Sequence, residues 1–250
     1  MKNYNLNRDW LQAMELEEFQ KCKEKSSNNI HKEVAPAKVN IAKNIKNQNS
    51  REIVDKIETL EALREALMNF NECPLKFGAI NTVFADGNKN SEIMLIGEAP
   101  GATEDQKGIP FCGESGKLLT NMLKSIGLER EKNYYVTNTV FWRPPANRAP
   151  TPLEVETCKP FIEKHIALIK PKLLILVGGT AVTSFLGNHL QISKIRQEYY
   201  KYTNCYLENA ISTSAIFHPA YLMRQPLQKK SSWYDLLKIK EFINKNGIKI

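Results

Sequence analysis

The sequence lacks the features of a membrane or a disulfide-rich secreted protein. No stretch of its 250 residues approaches 18 consecutive apolar residues, so no transmembrane helix is predicted. The first residues, MKNYNLNRDW, lack the apolar core of a signal peptide, and we expect a cytoplasmic protein. The five cysteines are odd in number and far apart in sequence, which argues against a disulfide framework. They form no C-x-x-C pair, which argues against a zinc ribbon and a thioredoxin-like centre. Glycine and proline, 12 each, are too few for a collagen-like or proline-rich chain.

The composition that remains is that of a basic globular protein. Apolar residues make up 42% and charged residues 25% of the chain, and the formal net charge is +8. Residues 221–250 carry seven Lys or Arg side chains against two acidic ones. This surplus fits a phosphate-rich partner, although a solvated C-terminal helix would give the same pattern.

The chain divides into a polar N-terminal segment and a folded domain. Residues 7–25 have apolar side chains at helical spacing and predict a short amphipathic helix. Residues 26–50 are rich in Asn, Lys and Ser without periodicity, which is typical of a flexible linker. A helical apolar stripe over 51–70 begins the second part. We therefore predict an N-terminal segment over 1–50 and a folded domain over 51–250.

From residue 80 onward, short apolar runs alternate with helical patterns. The predicted strands are Ile93–Ile96, Tyr134–Thr137, Leu173–Val177 and Ser212–Phe217. The predicted helices are Gly116–Ile126, Leu153–Ile169, Thr180–Leu186 and Gln228–Asn244. This alternation predicts an α/β fold with a parallel sheet and helices on both faces. Ligands of such folds bind at the carboxyl ends of the strands.

The unusual residues of the sequence follow those strands. Residues 97–105, GEAPGATED, form a Gly- and Pro-containing turn directly after the first strand, and such a turn brings backbone close to a ligand. The alternative is a turn whose acids cap a helix. The motif is neither G-x-G-x-x-G nor a Walker A loop, which excludes the usual dinucleotide and P-loop interpretations. Gly178-Gly179 follows the third strand.

Two single side chains near the strand ends could recognise a flat ring. Phe111, in the Gly/Pro loop GIPF, could stack on a base or close the core as a hydrophobic plug. Asn138, in TNT after the second strand, could donate to and accept from a base edge or form a turn.

Two further loops could contact nucleic acid. The loop at residues 143–152, RPPANRAPTP, offers arginines to phosphate, and its Thr151-Pro152 also resembles a helix start. The loop at residues 218–226, HPAYLMRQP, joins a histidine to an apolar wedge and an arginine. Such a loop can enter a base stack and hold the backbone.

In this order and spacing, GEAPGATED, GIPFCGESGKLL, YVTN, RPPANRAPTP and HPAYLMRQP resemble the uracil-DNA glycosylase superfamily, and within it the bacterial family-4 branch. The resemblance covers about residues 71–243 and makes 51–250 a uracil-DNA glycosylase-like domain. It implies a three-layer α/β/α sandwich with a central, mainly parallel four-stranded sheet. It also implies hydrolysis of the N-glycosidic bond of a flipped uracil in DNA, by a monofunctional enzyme of base excision repair that we expect to be a monomer.

The resemblance also implies roles for single residues. Glu98 would position or activate water, with Glu104 or Asp105 assisting, and His218 would stabilise the leaving base. The implied substrate-binding residues are Gly97, Ala99, Pro100, Gly101, Phe111, which stacks on uracil, and Asn138, which reads its polar edge. The implied DNA-binding residues are Arg143, Asn147, Arg148, Tyr221, Leu222, Met223, Arg224 and Lys229. Of these, Leu222, Met223 and Arg224 would occupy the loop that fills the gap left in the duplex.

The chain departs from the family at the four cysteines that usually hold a [4Fe–4S] cluster. Cys73 and Cys158 match two of these positions, whereas Phe70 and Trp142 occupy the other two. A cluster needs its thiolates, so we predict that no cofactor is bound and that the two aromatic side chains fill the volume.

Two other functions remain open at the level of sequence. A non-catalytic binder of uracil-containing or abasic DNA would keep Phe111 and Asn138 but not turn over, and the presence of Glu98 and His218 argues against it. A nucleobase or nucleotide binder unrelated to DNA is disfavoured by the basic C-terminal segment.

Overall fold

The protein is described by a computed structural model that covers the backbone of residues 32–33, 44–187 and 189–250, and the side chains from residue 50 onward within those ranges. The amphipathic helix predicted over 7–25 lies outside the described residues. Within the described ranges, no helix is long and apolar enough to cross a membrane.

One sheet runs through the described part of the chain. Its seven strands are β1 (Lys32–Glu33), β2 (Asp86–Gly87), β3 (Ile93–Gly97), β4 (Tyr135–Asn138), β5 (Leu173–Val177), β6 (Tyr200–Tyr202) and β7 (Ile211–Ile216). Their spatial order is β1-β6-β7-β5-β3-β4-β2. The four predicted strands form its parallel centre. The predicted count of four is too low, because short strands extend both edges and two of them, β2 and β6, pair antiparallel.

Ten helices accompany this sheet in the described ranges. They are α1 (Asn44–Asp55), α2 (Leu60–Asn69), α3 (Ala102–Lys107), α4 (Glu114–Lys124), α5 (Arg130–Asn133), α6 (Pro152–Ile169), α7 (Gly179–Leu186), α8 (Ile192–Ile195), α9 (Pro219–Arg224) and α10 (Gln228–Lys245). Two short 3₁₀ turns lie at Pro74–Gly78 and Pro145–Asn147.

The sheet is buried on both faces, as the α/β prediction requires. Every residue of β3 and β5 is buried, and alternate side chains of a strand point to opposite faces. Met94 and Ile96 of β3 belong to a core shared with α1, α2, α6 and α7. Ile93 and Leu95 belong to a second core shared with α4, α9 and α10. The three-layer α/β/α architecture is thereby confirmed.

The N-terminal helices differ from the sequence expectation. Residues 44–50, assigned to the linker, form the start of α1, so a helix crosses the boundary expected at residue 50. This polar helix packs on α6, where Val54 is fully buried and Arg51 pairs with Glu163 at 3.0 Å. The predicted stripe over 51–70 is also broken, because the Thr59 hydroxyl accepts from the Ala62 N–H at 3.2 Å and begins α2 anew.

Candidate active site

A cavity of about 460 Å³ opens at the carboxyl ends of the parallel strands. The loop after β3 lines it with Glu98, Ala99, Pro100 and Gly101, and Phe111, Asn138 and His218 complete its inner wall. Gly97 and Asn138 are paired across β3 and β4, one at the end of each strand. The structure therefore brings together the residues that the sequence placed at separate strand ends.

Gly97 allows two of these side chains to approach the strand end. A Cβ atom at position 97 would overlap the Phe111 ring and would lie 2.5 Å from Asn138 Oδ1. Any larger residue would displace both side chains from the cavity. The absence of a side chain at Gly97 therefore leaves the space that Phe111 and Asn138 occupy.

The Phe111 loop is fixed from several directions. Phe111 has φ of 50°, in the left-handed region that non-glycine residues rarely adopt. Arg130 holds this conformation, because its guanidinium donates to the carbonyl oxygens of Pro110 at 2.9 Å and Phe111 at 2.8 Å. The same guanidinium pairs with Asp86 at 2.9 Å. The ring of Phe111 consequently lies 6.0 Å from the ring of His218, centroid to centroid.

The two acids at the start of α3 have structural contacts. Glu104 lines the cavity, but its carboxylate accepts from the backbone N–H groups of Gly101, Cys112 and Gly113 at 2.8–3.2 Å. It therefore joins the loop after β3 to the Phe111 loop. Its neighbour Asp105 is 1% exposed and is not among the cavity-lining residues.

The prediction that Asp105 assists catalysis is not supported by this position. Its carboxylate accepts from the backbone N–H groups of Ile80 at 2.8 Å and Asn81 at 3.1 Å. Because these bonds tie α3 to the preceding segment, Asp105 stabilises the loop from outside the cavity.

Asn138 is 2% exposed at the end of β4. No hydrogen bond within the described ranges engages its side-chain amide. The side chain borders the cavity, where its amide is open to water or a ligand. It is therefore suited to bind a ligand that presents both an acceptor and a donor.

Glu98 is held through both its main chain and its side chain. The Thr139 hydroxyl donates to the Glu98 carbonyl oxygen, and the Thr180 hydroxyl donates to Glu98 Oε2, each at 2.5 Å. The carboxylate therefore has one oxygen bound to the protein and lines the cavity.

His218 caps α9 and has a defined tautomer. Its Nδ1 accepts from the Ala220 N–H at 3.2 Å, so the neutral ring carries its proton on Nε2. Burial lowers the pKa of His218, and Arg224 acts in the same direction, while Glu98 and Glu104 oppose the shift. The ring is therefore neutral at pH 7 and offers an N–H donor.

The two arginines of the 143–152 loop, which are predicted to contact DNA, form hydrogen bonds with other residues of the protein. Arg143 donates to the side-chain oxygen of Asn147 at 2.7 Å. Arg148 lines the cavity, yet both its terminal nitrogens bind the Glu154 carboxylate at 2.6 and 2.8 Å. Glu154 and Thr151 form the capping box of α6, so the predicted helix start is found as well.

The loop that begins at His218 forms α9, and the helix turns its side chains in different directions. Tyr221 and Arg224 line the cavity, and Met223 is 50% exposed. Leu222 is fully buried in the core shared with α4 and α10. Leu222 is therefore held in the core of this structure, and its predicted contact with DNA stays a prediction.

Sequence reasoning missed Arg130 and Thr180, which hold cavity residues, and the exposed Leu227 in the segment after α9. Arg130 and Thr180 are distant in sequence from the residues they hold, and no local pattern marks such contacts. Leu227, three residues beyond Arg224, is 91% exposed. Leu227 directly follows Gln-Pro, two residues typical of an exposed turn, and this position could have predicted its exposure. Lys229, two residues further on, is half-buried.

The residues at the cysteine positions do not fit an iron–sulfur cluster. Cys73 and Cys158 are fully buried with their Sγ atoms 3.9 Å apart. Phe70 packs on Phe161 with ring centroids 4.9 Å apart, and Trp142 Nε1 donates to the Thr82 hydroxyl at 2.9 Å. Four thiolates are needed, and the described residues contain no group of three or more potential metal ligands.

Comparison with known proteins agrees with this α/β/α fold and its cavity at the strand ends. A family model described as the uracil DNA glycosylase superfamily matches residues 84–238. The chain therefore belongs to the uracil-DNA glycosylase superfamily, which confirms the predicted resemblance. The prediction of a DNA glycosylase, a hydrolase of N-glycosyl bonds, is confirmed at the level of the family.

Individual relatives resemble the chain over most of its length. The type-4 uracil-DNA glycosylase of Thermotoga maritima is 36% identical over 193 residues, which cover 76% of this chain and 97% of that protein. Its counterpart in Archaeoglobus fulgidus is 37% identical over 194 residues, covering 76% and 96%. That of Sulfurisphaera tokodaii is 37% identical over 190 residues, covering 74% and 85%.

Proposed function

We propose that this protein is a uracil-DNA glycosylase that hydrolyses the N-glycosidic bond of an everted uracil in DNA. The observation that carries the proposal is the convergence of Glu98, Phe111, Asn138 and His218 on one cavity. Together these four side chains offer a carboxylate, an aromatic ring, an amide and a neutral imidazole. All of them come from one chain, so the proposed site is complete within a single copy of the protein.

Uracil must leave the duplex to reach this cavity, which costs a few kcal/mol. Stacking on Phe111 returns roughly 1–3 kcal/mol. The Asn138 amide has the donor and acceptor that the polar edge of uracil requires. The rigid Phe111 loop means that little of this stacking energy is spent on ordering the protein.

Breaking the bond leaves negative charge on uracil and positive charge on the sugar. The N1–C1′ electron pair departs with uracil, and His218 Nε2–H donates to a uracil carbonyl oxygen that gains charge. Glu98 stabilises the sugar cation and orients the water whose oxygen bonds to C1′. The water proton passes to the carboxylate or to solvent. No covalent enzyme intermediate is needed.

The exposed residues beyond the cavity support a DNA interface. Arg224 lies at the cavity beside the exposed Met223, and Leu227, between α9 and α10, is 91% exposed. We infer that Met223 and Leu227, rather than Leu222, enter the space left by the everted base. Arg224 and Lys229 then face the phosphates.

The direct test uses single- and double-stranded oligonucleotides that carry one uracil. The proposal predicts free uracil in the supernatant, measured by chromatography, and strand breaks at that position after alkali. An oligonucleotide with thymine at the same position is the control. Tight binding of uracil-containing DNA without release of uracil would contradict the proposal and favour a non-catalytic binder.

Arg130→Lys should lower kcat/KM for uracil release about tenfold. Lysine keeps the charge facing Asp86 but loses the fork that holds two carbonyl oxygens. The strained Phe111 backbone, which costs about 1–3 kcal/mol, should then relax and move the stacking ring. The measurement is steady-state kinetics with the melting temperature recorded. Lys132→Gln, at an exposed pair on the same helix, is the control, and equal kcat/KM in both variants would contradict the role of Arg130.

We also propose that the protein folds and acts without an iron–sulfur cluster. Phe70 and Trp142 are 3% and 1% exposed, so their rings supply apolar packing where two thiolates would be required. Purified under anaerobic conditions, the protein should contain no stoichiometric iron. A strong iron chelator should leave its melting temperature and activity unchanged. Four irons per chain, or unfolding by the chelator, would contradict this proposal.

A further inference from the structure

The turn after β5 contacts two cavity residues to which the proposed reaction assigns roles, Glu98 and His218. It comprises Gly178, Gly179 and Thr180, and α7 begins within it. The Thr180 hydroxyl donates to Glu98 Oε2 at 2.5 Å. Gly178 has φ of +98°, and a Cβ there would lie 3.0 Å from the Cβ of His218. This turn therefore borders both the carboxylate and the imidazole.

The Thr180 hydroxyl is not used to stabilise its own helix. Thr183 and Ser184 donate to the Thr180 carbonyl oxygen at 3.1 and 2.7 Å. The Thr180 hydroxyl instead donates to a side chain of the loop after β3. The partner is Glu98, which is 82 residues away in sequence. A long-range bond from a helix start to a cavity carboxylate points to a role in the site.

We propose that Thr180 is a positioning residue that orients the Glu98 carboxylate for the reaction. The inference rests on the proposed glycosylase function. The Glu98 backbone is already fixed by the Thr139 hydroxyl, but the side-chain torsions beyond Cβ are not fixed by that bond. The Thr180 hydroxyl holds Oε2 and leaves Oε1 for water or the sugar. Misplacement of a reacting group by about 1 Å can cost 10²-fold in rate.

The test compares variants that differ in one hydroxyl. Thr180→Val keeps the shape of the side chain and removes the donor, and single-turnover uracil release should fall roughly 10- to 100-fold, as for loss of a hydrogen bond to a charged group. Thr180→Ser, which keeps the hydroxyl, should recover most of the rate. Thr183→Val removes a hydroxyl from the same helix without touching Glu98 and should behave as the unchanged protein. DNA affinity should be equal in all four proteins.

A double-mutant cycle separates orientation of Glu98 from a general structural effect. Adding Thr180→Val to Glu98→Gln should cause no further loss if the two residues act as a unit. If the valine variant does not fold, Thr180→Ala replaces it in the same cycle. A valine or alanine variant with the unchanged rate, or full additivity with Glu98→Gln, would overturn the inference. If the unchanged protein releases no uracil at all, the proposed function fails first and the inference falls with it.

Discussion

Glu98→Gln is expected to slow uracil release by roughly 10²- to 10⁴-fold, the usual range for loss of a group that acts on a proton in the transition state. Glutamine has nearly the same shape, and its side-chain oxygen can still accept from Thr180. The variant therefore keeps the cavity and loses only the negative charge beside the sugar. Stabilisation of the sugar cation and orientation of water both decline.

Binding and chemistry should separate in this variant. Affinity for uracil-containing DNA should be retained or rise, because a negative charge near the phosphates is removed. Single-turnover release and fluorescence anisotropy measure the two effects. The control is Glu114→Gln, which neutralises an exposed carboxylate at the start of α4. Release by Glu98→Gln at the rate of that control would contradict the assignment.

His218→Asn is expected to slow uracil release by roughly 10²- to 10³-fold, the usual effect of removing one donor to a developing oxyanion. Asparagine is a good helix cap, so its oxygen can replace Nδ1 as acceptor for the Ala220 N–H. What it lacks is the donor at the position of Nε2. His218→Gln places an amide N–H near that position but caps α9 poorly. The glutamine variant should therefore keep more activity and lose more thermal stability than the asparagine variant.

The pH dependence distinguishes a neutral from a charged imidazole. Because burial lowers the pKa of His218 below 6.5, folding favours the neutral ring. The resulting contribution to stability is complete above pH 6.5 and declines as pH falls toward the lowered pKa. Protonation would also remove the acceptor for the Ala220 N–H. The uracil-release rate should therefore not fall as pH rises from about 6 to 8. A fall over that range would mean that imidazolium is the active form.

The fold was predictable where apolar runs are long and continuous. The runs around Ile93–Ile96 and Leu173–Val177 are buried on both faces, and their composition leaves few alternatives to central parallel strands. The edge strands β1, β2 and β6 have only two or three residues each, too few to show a period. The early start of α1 depends on packing against α6, which a polar sequence does not reveal.

The position of the cavity was also predictable, but not every side chain in it. Parallel strands end at one edge, so residues after Gly97, Thr137 and Phe217 had to meet there. The direction of Leu222 could not be predicted, because it depends on the turn of the short helix α9 against the core. The pairing of Arg148 with Glu154 could not be predicted either, and it binds a guanidinium that the sequence assigned to DNA.

The most direct measurement is the crystal structure of Glu98→Gln bound to duplex DNA that contains one uracil. We expect an intact nucleotide turned out of the helix. Its base should stack on Phe111, with its polar edge on Asn138 and a carbonyl oxygen near His218 Nε2. A uracil that stays stacked in the duplex, or that binds away from these three side chains, would contradict the account.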